Sequence, residues 1–191
     1  VNPLPIADAG LDRTICEADT ILLGTTANPA YSYSWDNAAT LDDNSLAQPR
    51  AFPSATTTYT VTVTETATSC TSTDQVVINV LPQPFANAGS DDTLCLGESV
   101  ILGGSPTGPA GATFAWDNAA SLSDPAVSNP TAAPQTTTTY IVTVTDAVNG
   151  CTNTAQVTIV VNPLPTVDAG ADQDICLGDS ITLGGSPTGP I

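Results

Sequence analysis

Lysine, histidine and methionine are absent from the 191 residues, and Arg13 and Arg50 are the only basic side chains. Against nineteen acidic residues they leave a formal net charge of −17. So anionic a chain has nothing with which to neutralise phosphates, which excludes nucleic acid as a partner. Anionic membrane surfaces are disfavoured for the same reason. Without His or Lys a nucleophile lacks its usual neighbouring base, so no enzymatic activity is expected. Asp42 with Asp43 and Asp91 with Asp92 are adjacent carboxylates, whereas a glycosidase sets two across a cleft. No apolar run approaches the roughly 20 residues that a membrane helix requires, so no direct membrane insertion is expected of this segment. Nor does a basic n-region with an apolar h-region open the sequence, so any export signal is expected to lie upstream or to have been removed.

What is present is a repeat. "VNPLPIADAGLDRTIC" is followed by "VLPQPFANAGSDDTLC" and "VNPLPTVDAGADQDIC". Gly10, Gly89 and Gly170 correspond, as do Cys16, Cys95 and Cys176; Trp35 matches Trp116, and Tyr59 matches Tyr140. Self-similarity at a fixed period is the signature of a repeat architecture. It divides the chain into repeat one (1–79), repeat two (80–160) and a partial third repeat (161–191) that carries only the first strands. The chain is expected to be a window on a longer array, with a further cysteine about 55 positions after Cys176.

Strand signals dominate within each repeat. "TTTYTVTVTET" and "TTTTYIVTVTD" alternate β-branched or aromatic residues with Thr at period two, the pattern of a half-buried strand. "DQVVINV" and "AQVTIVV" follow after turns at Cys70 and Cys151 and complete a terminal hairpin. "TILLG" and "SVILGG" read as a second strand, and "YSYSW" and "ATFAW" as a third, separated by Pro- and Gly-rich turns. Short strands at this spacing predict an all-β fold of tandem immunoglobulin-like antiparallel β-sandwiches. Trp35 and Trp116 are expected in the core, and Tyr59 and Tyr140 are expected to pin a corner through a buried hydroxyl.

Cysteines recur once at each end of a whole repeat, which reads as a disulfide framework of an oxidising, extracellular setting. The expected pairs are Cys16 with Cys70 and Cys95 with Cys151, leaving Cys176 unpaired; buried free thiols are the alternative. Each bridge would stabilise by about 4 kcal/mol in the chain-entropy model. A Cys16 unable to bond with Cys70 would overturn the reading of neighbouring sandwiches, each stapled by its own bridge, that follow head to tail for mechanical reach.

Together "AGxD", "CxGxSxxLGGSPTG", the Trp, "NPTAxPxxTTTYxVTVTD" and the "GCT" turn resemble the PKD-like, immunoglobulin-like repeats of very large surface adhesins of gliding Gram-negative bacteria. The resemblance covers the whole chain, although repeat one lacks the GGSPTGP loop and has Gln48 and Arg50 around Pro49. It implies export by a type nine secretion route, a cell-surface location, and service as a stiff stalk or filament shaft. Surface glycans, other cell-surface proteins and further copies of the repeat are the implied partners. The rival reading is a carbohydrate-binding accessory array of a secreted hydrolase, which calls for exposed aromatic platforms; aromatics are only 5% of this chain. Strand donation from the partial third repeat to another chain is a third possibility.

Three minor features complete the reading. Asp8 and Asp12, Asn87 and Asp91, and Asp168 and Asp172 set oxygen ligands four apart around a Gly turn, a candidate site for calcium at the module junctions. The alternative is that these side chains cap the turn through the backbone. Pro3, Pro5, Pro82, Pro84, Pro163 and Pro165 form Pro-x-Pro linkers that are extended and semi-rigid. Thr20, Thr93 and Ser180 follow Asp in tripeptides similar to an O-glycosylation sequon of the same bacterial group, tripeptides that also arise by chance in a Thr-rich chain.

Overall fold

The structure, a computed structural model, describes residues 2–185. Among the described residues twelve strands follow in order: β1 (Arg13–Cys16), β2 (Ile21–Leu22), β3 (Tyr31–Trp35), β4 (Arg50–Ala51), β5 (Thr57–Glu65), β6 (Thr71–Leu81), β7 (Asp92–Cys95), β8 (Val100–Ile101), β9 (Thr113–Trp116), β10 (Thr131–Ala132), β11 (Thr138–Thr145) and β12 (Thr152–Asn162). The helical elements among the described residues are two single 3₁₀ turns, Ala38–Thr40 and Ala119–Ser121.

Each whole repeat builds the same pair of sheets. In the first, strands lie in the order β1-β6-β5-β3, with β2 and β4 forming the opposing two-stranded sheet. In the second, the order β7-β12-β11-β9 is matched by β8 with β10. The alternation seen in the sequence accounts for the long hairpin. In β5, Tyr59, Val61 and Val63 point inward and are at most 1% exposed, while the intervening Thr residues face outward or sit at the rim. The antiparallel register runs from Thr57 opposite Ile78 to Thr64 opposite Thr71. Trp35, Leu23, Leu41, Ala51, Val76 and Ile78 join those residues in one apolar core. Trp116, Leu102, Ala132, Tyr140, Val142, Val157 and Ile159 are the buried counterparts in repeat two. The fold is all-β and immunoglobulin-like, in tandem.

The first strand departs from a purely antiparallel sandwich. β1 pairs with β6 in parallel, Arg13 opposite Ile78 through Cys16 opposite Leu81, and β7 pairs with β12 likewise. Parallel neighbours need a crossover instead of a hairpin; here the chain leaves β1, visits the opposing sheet at β2, and returns at β3. Residues 173–176 are the counterpart of β1 and β7 in the third repeat, and no strand is formed among the described residues beyond Asn162.

Both corners expected from the tyrosines are made. Tyr59 Oη and Thr40 Oγ1 lie 2.7 Å apart, as do Tyr140 Oη and Ser121 Oγ. The indole Nε1 of Trp35 donates to Leu46 O at 2.9 Å, and that of Trp116 to Val127 O at 3.1 Å. Gly24 is required where the chain passes the indole. Its φ is +69°, and a Cβ there would overlap the Ala47 carbonyl oxygen and come within 2.9 Å of the Trp35 ring.

The chain divides into two compact units. One comprises Val1–Ala86, Gly108–Phe114 and Thr143–Thr154, and the other Asn87–Thr107, Ala115–Val142 and Ala155–Ile191. The hairpin turn that carries Cys151 thus belongs to the same unit as the whole of repeat one.

Candidate functional site: a cysteine bridge with a docked turn

Cys16 ends β1, and the backbone turns sharply straight after it. Cys16 N donates to Asp19 Oδ2 at 3.1 Å, and Asp19 N to Cys16 O at 3.1 Å. Ala18 between them has a φ of 68°. Glu17 N bonds Leu81 O at 2.8 Å, so the turn is anchored where β6 runs out into the Pro-x-Pro linker.

Cys151 stands in the turn between β11 and β12. Asp146 N donates to Cys151 O and Gly150 N to Asp146 O, each at 2.9 Å. The side chains of Asp146 and Asn149 accept from Val148 N and Cys151 N at 2.7 and 2.8 Å. Cys151 is fully buried. Two amides hold the linker at this place: Asn149 Nδ2 donates to Pro82 O at 3.1 Å and Asn153 Nδ2 to Pro84 O at 2.9 Å. Gln83 Nε2 reaches back to Glu17 O at 2.8 Å. Proline cannot donate a backbone hydrogen bond, but its carbonyl accepts; the linker offers those carbonyls to the turn.

Between the two elements Cys16 and Cys151 form a disulfide, with 5.6 Å between Cα atoms and a sequence separation of 135. This corrects the expected pairing of Cys16 with Cys70 and of Cys95 with Cys151. Cys70, Cys95 and Cys176 are free thiols, the first half-buried and the other two exposed. The reason lies in the strand register. Cys16 is opposite Leu81 at the far end of β6, while Cys70 immediately precedes that 11-residue strand. At about 3.3 Å per residue the strand separates the two ends by roughly 30 Å, whereas a disulfide needs Cα atoms within about 7 Å. Cys95, opposite Asn162 at the end of β12, is kept from Cys151 by the same length of strand.

The acidic turn residues are engaged with backbone. Asp8 Oδ1 accepts from Gly10 N at 2.9 Å, Asn87 Oδ1 from Gly89 N at 3.0 Å and Asp168 Oδ1 from Gly170 N at 2.8 Å. Asp12 and Asp91 reach further, to Val77 N of β6 at 2.8 Å and Thr158 N of β12 at 2.7 Å, tying the start of each repeat to its last strand. Asp172 is exposed. Among the described residues no three His, Cys, Asp or Glu side chains gather at a distance that would hold a metal ion. Asp74 Oδ2, not singled out by spacing, accepts from Ala9 N at 2.8 Å. Thr20 is exposed and its Oγ1 accepts from Arg50 Nη1 at 2.9 Å; Thr93 and Ser180 are exposed as well.

Two groups have displaced acidities. Burial pushes the Tyr59 phenol above its ordinary value, helped by the nearby Asp36 charge and opposed by the bond to Thr40. The exposed Asp43 is lowered by hydrogen bonds from the Ser45 hydroxyl and backbone N–H. A shallow hollow of about 450 Å³ in repeat two is lined by uncharged groups, including Asn118, Ser121, Gln135 and Thr136.

No protein-family model matches the chain, and no curated protein matches it either. Solved structures with a similar strand arrangement are tandem immunoglobulin-like chains. An I-band fragment of titin is 9% identical with a TM-score of 0.38, over 86% of this chain and 68% of that one. Extracellular domains 3–5 of Drosophila OTK are 13% identical with a TM-score of 0.35, over 80% of this chain and 59% of theirs. Immunoglobulin domains 1–5 of Sidekick-1 are 12% identical with a TM-score of 0.34, over 82% of this chain and 38% of theirs.

Proposed function

We propose that this chain is part of the shaft of a secreted bacterial surface protein, in which tandem sandwiches serve as a stiff spacer for an adhesive element. One observation carries the reading: the Cys16–Cys151 bridge fastens the opening of one sequence repeat to the closing turn of the next. A bridge inside a repeat would only stabilise that repeat, whereas this one constrains succession. The Asn149 and Asn153 amides on the Pro82 and Pro84 carbonyls support it, because they spend polar side chains on holding a linker. The charge of −17 keeps an exported array soluble and discourages collapse between neighbours. Stability in such an array is near a sum of local terms, so length can grow without a larger core. The bridge supports an oxidising, extracellular compartment. O-glycans on Thr20, Thr93 or Ser180 belong to the same proposal as accessory features.

Spacer function is tested by exchange. In cells that display the full-length protein, this segment is replaced by an unrelated sandwich array of equal repeat number. Adhesion should be retained, and it should fall when the segment is deleted outright. Loss of adhesion on exchange, or specific binding of the isolated chain on a glycan array, would show that the segment carries the ligand site itself and would refute the spacer reading.

A further inference from the structure

Asparagine followed by glycine occurs once in the chain, at Asn149 and Gly150, and it lies in the turn that carries Cys151. We infer that Asn149 is a site of deamidation, held back while the Cys16–Cys151 bridge keeps that turn closed, and that the reaction releases the linker. In deamidation the backbone nitrogen of the following residue attacks the asparagine Cγ, and a side chain on that residue obstructs the approach. Each of the other asparagines precedes Ala, Ser, Val or Thr, or a Pro whose nitrogen carries no hydrogen. Gly150 has no Cβ, and one built there would meet nothing within 4 Å. It is exposed, and Val148 nearby is 97% exposed, so water reaches the turn. The matching place in repeat one is Thr68–Ser69, which has no amide to lose.

The closed turn opposes the reaction. Gly150 N donates to Asp146 O at 2.9 Å, and a nitrogen that keeps its proton is a poor nucleophile. Asn149 Oδ1 accepts from Cys151 N at 2.8 Å, and Nδ2 donates to Pro82 O at 3.1 Å. Both the carbonyl under attack and the leaving nitrogen are therefore held by other partners. Asp146 N closes the turn on Cys151 O at 2.9 Å, at the residue that sulfur joins to Cys16. Turns of this kind open locally, without global unfolding. Cutting the bridge removes the covalent hold on this one and makes its opening easier.

In the opened turn Gly150 N forms a bond to Asn149 Cγ and closes a cyclic imide. The amide nitrogen leaves with the electron pair of its bond to Cγ, takes up the proton of Gly150 and departs as ammonia. Water then opens the ring, at Cγ to give aspartate or at the Asn149 backbone carbonyl to give isoaspartate. Neither product donates a hydrogen bond to Pro82 O, and both set a negative charge against that carbonyl. Isoaspartate also adds a carbon to the main chain of the turn. Ammonia is lost to solvent, so a passing reduction leaves a lasting change at the junction.

The test uses the chain with Cys70→Ser, Cys95→Ser and Cys176→Ser, so that only the bridge responds to reductant. Samples are kept at neutral pH oxidised, with dithiothreitol, or in guanidinium, and residue 149 is followed by peptide mapping and an enzymatic isoaspartate assay. Conversion should be slowest in the oxidised chain. On reduction it should rise at least about tenfold, an opening made easier by about 1.4 kcal/mol, while the fluorescence of Trp35 and Trp116 stays native. Equal rates with and without dithiothreitol, or an oxidised rate as fast as that in guanidinium, would overturn the inference. Asn149→Asp, made with the bridge in place, covers the case in which reduction unfolds a repeat. Dithiothreitol should cut its bridge several-fold faster than the parent's, because the grip on Pro82 is gone, and an unchanged rate would equally overturn the inference. The proposal does not depend on adhesion, so its failure leaves the exchange result standing.

Discussion

Two residues beyond the first cysteine of each repeat the backbone is left-handed, and the repeats fill that place differently. Ala18 has a φ of 68° and Gly97 one of 95°. An L residue there costs roughly 1–2 kcal/mol relative to its ordinary conformations. Alanine in place of glycine recovers about 0.4–1 kcal/mol by restricting the unfolded chain. The net is about 1 kcal/mol in favour of glycine. A Cβ at residue 97 meets nothing within 4 Å, so packing does not confuse the comparison. Ala18→Gly should therefore stabilise and Gly97→Ala destabilise by similar amounts. With a urea dependence of about 1–3 kcal/mol per molar, the midpoint should move about 0.5 M, up and down respectively, at unchanged slope. Trp35 and Trp116 are buried, one in each repeat. Fluorescence of Trp35 in a Trp116→Phe background reads the first substitution, and Trp116 in a Trp35→Phe background the second. A lower midpoint for Ala18→Gly, or an unmoved one for Gly97→Ala, would refute the reasoning. Ser69→Gly offers an independent repetition, since Ser69 is left-handed where repeat two has Gly150.

The remaining predictions concern the bridge, a phenol and the acidic turns. Cys16→Ser removes a cross-link with a sequence separation of 135, worth up to about 5 kcal/mol in the chain-entropy model. Cys70→Ser should leave the denaturation midpoint of the monomer almost unchanged; equal losses from both would restore the pairing within repeat one. Because folding raises the Tyr59 pKa, the stability linked to it is complete below the unfolded value of about 10 and is lost as pH climbs through the folded one. Tyr59→Phe should remove that alkaline loss while lowering stability at neutral pH by about 1 kcal/mol for the missing bond to Thr40; thermal melts from neutral to strongly alkaline pH measure both. Asp8, Asp12, Asn87 and Asp91 already accept backbone hydrogen bonds. Replacing EDTA by millimolar calcium should therefore leave the melting temperature in place, and a rise of several degrees would restore calcium to the junctions.

The long hairpin was legible because period-two alternation in "YTVTV" and "YIVTV" reports directly which side chains a sheet buries. Trp and Tyr were legible for a related reason: a large ring with one polar atom is stable inside only beside a partner. Strands of two residues, such as β2 and β4, are too short to carry a period, and their positions follow from the loops around Gly24 and Pro49. The cysteine pairing is not legible because spacing alone does not say where along a strand its neighbour docks. β1 has four residues and lies beside Ile78–Leu81, the far end of β6. In either direction that leaves Cys16 more than roughly 20 Å from Cys70 at about 3.3 Å per residue. The carboxylates four apart were visible as a pattern, but their use was not. Asp12 and Asp91 contact strands some 65 residues later, a relation no local window contains.

Covalent bypass gives the bridge a consequence under load. β1 and β6 lie parallel, so pulling one back and the other forward slides them past each other, and the register pairs from Arg13–Ile78 to Cys16–Leu81 resist together instead of peeling in turn. Force that reaches Cys16 then passes through sulfur to Cys151 and leaves the intervening chain slack. At about 3.3 Å per residue, roughly 450 Å of contour stays locked away until a reductant cuts the bond, so the redox state of its surroundings decides how far the chain can extend under load.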